Sequence, residues 1–129
     1  MITLIDSSAL IEFLRPDGDP DVATAVAEVL DAGDAATCPL VELELWNGAR
    51  TLAEGRALAA FFATLLRLPI TDEVWLRAMK TAAAVRRRGV TVPASDIVIF
   101  SCATLHQAHL LAHDKHFILL NEHAQHGTP

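Results

Sequence analysis

The chain has 129 residues, of which 52% are hydrophobic, 20% charged and 5% aromatic. That supports one compact domain over 1–129, too apolar to be disordered, while six Gly and six Pro exclude a low-complexity or collagen-like chain. Sixteen acidic against ten basic residues give a formal net charge of −6, which argues against a surface built to coat nucleic acid. It leaves open a site where metal ions supply the positive charge. Cys38 and Cys102 show neither disulfide-framework nor zinc-ribbon spacing, so a reducing cytoplasm is the expected location. The opening MITLIDSSALIEFL lacks a basic leader and is broken by Asp6, so neither a signal peptide nor a membrane span is expected.

Ile2 to Ile5 reads as a buried strand, followed by a helix through Ala9, Leu10, Phe13 and Leu14 that Pro16 stops. Ser7 and Ser8 offer hydroxyls for its cap. After the turn-forming PDGDPD comes a helix from Asp21 to Leu30, with Gly33 just past its end. Ala35 to Cys38 is a second strand, and Pro39 opens a helix running toward Arg50. Glu54 to Arg67 is an apolar helix, and Leu68-Pro69-Ile70 an edge strand. A further helix starts at Thr71-Asp72-Glu73 and ends at Arg86-Arg87-Arg88-Gly89. Ser95 is expected to cap a helix from Asp96 to about His106, before a strand at Leu110 to Ala112 and a short apolar piece at Phe117 to Leu120. Strands alternating with helices predict an α/β fold with a short, mostly parallel sheet covered on both faces. In such folds the working surface lies beyond the C-terminal ends of the strands.

Four acids sit where that surface would be: Asp6 ends the first strand, Glu44 lies in the helix after the second, Asp96 opens a helix, and Asp114 follows the last strand. Carboxylates gathered in a low-dielectric cleft repel, and either take up protons or collect cations. Hard ions such as Mg²⁺ or Mn²⁺ prefer oxygen ligands, and can activate water against a phosphodiester. Each acid taken singly has an ordinary explanation as well. Asp96 suits a helix N-terminus, Asp114 a turn, and Glu44 a solvated helix face. The repetition at four element ends is what favours the cluster.

The blocks LIDSSALI, ELWNG, RRRGVTVPASDIVIFSCA and LLAHDKHF occur in this order along nearly the whole chain. In them the chain resembles a PIN domain, most closely the VapC ribonuclease toxins of bacterial VapBC toxin–antitoxin pairs. The resemblance implies a PIN-like α/β/α sandwich, with Asp6, Glu44, Asp96 and Asp114 as catalytic metal ligands for Mg²⁺ or Mn²⁺. It implies RNA as substrate, a cognate antitoxin laid across helices near the cleft, and a homodimer. Ser7 is a supporting residue that would position Asp6 or a metal-bound water. Glu42 competes with Glu44 for the second acidic position, since the two point to different helix faces. His116 stands where the family often has a further acid, which favours one firmly held ion over two.

His106, His109, His113 and His116 follow helical spacing, but the strand at Leu110 would break their register, so surface or supporting roles are expected rather than a zinc or nickel site. Arg86, Arg87 and Arg88 suit RNA phosphates, although complementing a helix C-terminus in solvent explains them slightly better. Trp46 and Trp75 are read as core or interface, and Phe61, Phe62, Leu65 and Leu66 exceed one core-facing stripe, as a self-association or partner face would. Two rivals to a metal-dependent endoribonuclease remain at this level. One is a phosphoacceptor receiver domain, for which Cys38-Pro39 stands where the acceptor would lie. The other is a non-catalytic PIN-like binding module.

Overall fold

The computed structural model describes the backbone through Gly127 and side chains through His123; the last two positions of the expected domain lie outside the described residues. Three short strands, Thr3–Ile5 (β1), Ala35–Thr37 (β2) and His109–Leu111 (β4), join Leu66–Arg67 (β3) in one sheet of order β3-β2-β1-β4. Every pairing is parallel, with Thr3 opposite both Ala35 and His109. Seven helices intervene: Ser7–Leu14 (α1), Pro20–Asp31 (α2), Pro39–Asn47 (α3), Leu52–Phe62 (α4), Asp72–Arg87 (α5), Ala94–Leu105 (α6) and Lys115–Gly127 (α7). They give the α/β/α arrangement that strand–helix alternation predicts.

The chain steps from β1 to β2 to β3 in one direction, then returns to set β4 on the other side of β1. That reversal makes the β1/β4 boundary a topological switch point, where loops diverge and open a cleft. Leu4, Ile5, Ala36, Leu10, Val26, Ile99 and Leu120 are fully buried around the sheet. On one side α1 packs on α2 and α3, while α5, α6 and α7 make mutual contacts.

Several boundaries differ from expectation for identifiable reasons. The expected helix over 54–67 ends at Phe62, and the edge strand is Leu66–Arg67 rather than 68–70. Leu68 N–H still donates to Thr37 O (2.8 Å), but Pro69 has no N–H and the ladder stops. Ser95 does not cap α6; Pro93 occupies that position without a side-chain bond. The cap of α1 is Asp6 rather than either serine. The apolar piece at Phe117 to Leu120 is the start of the longer α7.

The expected apolar surplus also lies elsewhere. Phe62 is buried, Phe61 and Leu65 are half-buried, and of those four only Leu66 is exposed. The exposed large side chains include Leu43 and Trp46 on α3 and Trp75, Leu76 and Met79 on α5. Cys38 and Cys102 are free and buried. Among the described residues no helix is long and apolar enough to cross a membrane.

Candidate metal centre

Each parallel strand delivers its chain to the same edge of the sheet, and there the next helix begins. Asp6 directly follows β1 and caps α1; its Oδ2 accepts from Ser8 N–H (3.0 Å) and from the Ser8 hydroxyl (2.6 Å). The Ser8 Oγ in turn accepts from His113 N–H at 2.9 Å, tying the loop after β4 to the start of α1. Asp6 N–H donates to Leu111 O, so Asp6 lies beside the end of β4. Asp114 sits three residues beyond that strand and opens α7, its Oδ1 accepting from His116 N–H (2.8 Å). Asp96 falls in the first turn of α6 and is 7% exposed.

Glu44 on α3 joins from a third strand's connection. Ser7 Oγ donates to Glu44 Oε1 at 3.0 Å, clamping α1 to α3. The choice between Glu42 and Glu44 is thus geometric: Glu42 turns outward to Arg67, whose Nε lies 2.8 Å from Oε2. Ser7 holds Glu44 and not Asp6, whose hydroxyl partner is Ser8. The sequence reading offers Ser8 as a cap hydroxyl and gives it no role at the site, although an N-cap carboxylate normally accepts from the second residue of its helix, which here is Ser8.

His116 reaches back over the cluster. Its Nδ1 lies 2.7 Å from Asp114 Oδ1 and 3.3 Å from Asp96 Oδ2, yet neither approach has hydrogen-bond geometry. One ligand atom from each of Asp96, Asp114 and His116 falls within 4.8 Å of the others. Of the other histidines in the helical-spacing quartet, His109 is on β4 and His106 Nε2 is 2.8 Å from Pro69 O, while His113 adjoins Asp114 and meets the cluster through its backbone N–H to Ser8. Arg86, Arg87 and Arg88 are exposed at the end of α5, as a C-terminal complement would be.

The electrostatics register the crowding. Burial pushes the Asp96 carboxyl up to about 6, with the Asp114 and Asp6 charges adding and His116 opposing. Burial also raises Asp6 above the usual carboxylate range, against the Ser8 bonds that lower it, and the Asp114 charge adds a smaller push. Glu44 is raised by burial and then by Asp6 and Asp114, with the Ser7 bond opposing. Four carboxylates from distant parts of the chain therefore act on one another. Asp6 Oδ1 is buried with no hydrogen-bond partner among the described residues. An orphaned carboxylate oxygen inside a field of like charge fits a hard divalent cation, with the His116 imidazole beside Asp96 and Asp114 a softer neighbour.

A model of the PIN domain family matches residues 3–122, and the chain belongs to that family. No curated protein sequence matches it significantly. Its fold is similar to VapBC-1 from nontypeable Haemophilus influenzae, at 19% identity and a TM-score of 0.76, covering 95% of this chain and 94% of that one. It is similar to FitAcB from Neisseria gonorrhoeae at 18% identity and a TM-score of 0.71, covering 93% and 94% respectively. It is also similar to a sarcin-ricin loop cleaving VapC toxin from Mycobacterium tuberculosis, at 19% identity and a TM-score of 0.66, covering 90% and 92%. Family membership removes the receiver-domain alternative, and Cys38 and Pro39 are the cap and first residue of α3.

Proposed function

We propose that this protein is a metal-dependent endoribonuclease toxin, acting on RNA in the cytoplasm and neutralised by a cognate antitoxin. The observation that carries the proposal is the orphaned Asp6 Oδ1 within a cluster completed by Glu44, Asp96 and Asp114. Asp6, Asp96 and Asp114 would hold Mg²⁺ or Mn²⁺, with Glu44 and His116 beside them directly or through water. A divalent ion bound there supplies an activated water and offsets charge on the scissile phosphate. The protein's own part is to hold the cluster still. Ser8 fixes Asp6 and the loop carrying Asp114, and Ser7 fixes Glu44. Helix N-termini at α1, α6 and α7 favour the negative charge of carboxylates and of a phosphate alike.

The antitoxin reading is supported by a groove of about 590 Å³ beside Glu44, lined by Ile11, Leu14, Leu45, Leu58 and Phe61. Ile11 and Leu14 are each 45% exposed, a cost that an apolar partner segment would remove. The similar folds include ones described as VapBC and as a toxin-antitoxin complex from Klebsiella pneumoniae. Trp75, Leu76 and Met79 form an exposed apolar face on α5 that suits a homodimer.

The decisive experiment is cleavage of single-stranded RNA by the purified protein with Mn²⁺ or with EDTA. Cleavage is expected only with the metal, and Asp6→Asn is expected to reduce it on the order of 100-fold. Metal-independent cleavage, or an undiminished variant, would sink the assignment. Failure to cleave any RNA with bound Mn²⁺ would favour a non-catalytic binding module.

A further inference from the structure

Asp114 lines a second cavity as well as the carboxylate cluster. This cavity, about 400 Å³, lies between the end of β4 and the first turns of α7. That volume is at the lower end of the range for small-molecule pockets, enough for one mononucleotide-sized group rather than a length of polymer. Its chemistry divides in two. Ala112, Phe117 and Ile118 supply an apolar floor; Phe117 is anchored in the core at 5% exposed, whereas Ile118 is 61% exposed. His113, Lys115 and Asn121 supply a polar rim, all three exposed. Among the described residues the Asn121 amide makes no hydrogen bond and Lys115 no ion pair.

A flat apolar group with a hydrogen-bonding edge matches that division. An amide offers both donors and an acceptor to such an edge, and the Lys115 ammonium next to Asp114 suits an adjoining phosphate. Because Asp114 belongs to both the cavity and the cluster, a strand threaded past the cluster would bring an adjoining base to the cavity mouth.

The geometry points to a subsite for one unpaired nucleobase of the RNA strand, next to the phosphate that is cut, with Asn121 as the base-reading residue. This rests on the ribonuclease reading. Asn121 and Ile118 sit on α7, while Ala112, His113 and Asp114 come from the loop after β4.

The test pairs binding with cleavage. Binding of four homopolymeric oligoribonucleotides to the metal-free protein in EDTA is followed by fluorescence anisotropy, and cut sites in a mixed-sequence RNA are mapped with Mn²⁺. One base is expected to bind about fivefold more tightly than the weakest, from a single net hydrogen bond, and to neighbour the mapped cuts. Asn121→Ala is expected to bring that ratio close to one, while Ile118→Ser weakens all four oligonucleotides together. Asn121→Ala is compared at an unchanged melting temperature, because a misfolded variant would also bind the four alike, and loss of activity alone does not change the ratio. Equal binding of the four by the wild type, or a preference that survives Asn121→Ala, overturns the subsite and leaves cleavage as it was. A wild type that cuts no RNA with Mn²⁺ overturns the ribonuclease reading, and the subsite with it.

Discussion

Asp6 and Asp96 are held at a cost to the folded chain. Asp6 recovers part of it by capping α1 through Ser8, but Asp96 accepts no hydrogen bond among the described residues and is the carboxyl pushed furthest, to about 6. The proposed role of Asp96 as a metal ligand accounts for a carboxylate kept against its own electrostatics. Asp96→Asn should therefore behave oppositely in two assays. Without metal at pH 8, thermal unfolding should move up by about 3–8 °C, because the amide fills the same space without the charge. With Mn²⁺, the metal-induced rise in melting temperature should vanish. A metal-free variant that melts lower than wild type would show that the carboxylate is not under strain.

At the scale of elements, what reads from sequence is what depends on local chemistry. The Pro39 helix start, the helix over 72–87 and the strand–helix alternation follow from capping, proline and periodicity, and the structure contains them. The edge strand lies a few residues before the expected 68–70 because Leu66 and Arg67 continue an apolar helical pattern, and only pairing with Ala36 and Thr37 makes them a strand. The four acids read as strand and helix ends, but Ser7 bonding Glu44 across 37 residues and Ser8 bridging to His113 across 105 are tertiary facts without a local signal. Gly18 lies in the turn that PDGDPD announces, but its close approach to Glu12 is equally silent in sequence. A Cβ there would lie 1.8 Å from Glu12 O, a backbone atom that cannot swing aside. Glu12 Oε1 also accepts from Asp19 N–H, and Asp19 caps α2, so the turn locks α1 to α2. Gly18→Ala is expected to lower unfolding stability by about 1–3 kcal/mol in a denaturant titration. An unchanged midpoint would mean that the turn relaxes freely.

At the scale of the molecule, the sheet order explains both where charge gathers and how the protein should respond to pH. The β1/β4 switch point places Asp6 and Asp114 at neighbouring strand ends, and α3 and α6 bring Glu44 and Asp96 into the same field. Asp6, Glu44 and Asp96 all hold protons more tightly in the folded chain than in the unfolded one. Stability from that difference is fully present below the unfolded values, near pH 4, and is lost as pH rises through about 6, the Asp96 value. The metal-free protein in EDTA should thus melt progressively lower between about pH 4 and about pH 7, as far as these groups decide it. A divalent ion competes with the same protons, so Mn²⁺ affinity should climb about tenfold per pH unit up to about pH 6 and then level. The melting-temperature increment from Mn²⁺ should accordingly be small at pH 5 and large at pH 7.5. An increment that stays flat across that interval would mean that Mn²⁺ binds elsewhere, and that the carboxylates at the strand ends are not its ligands.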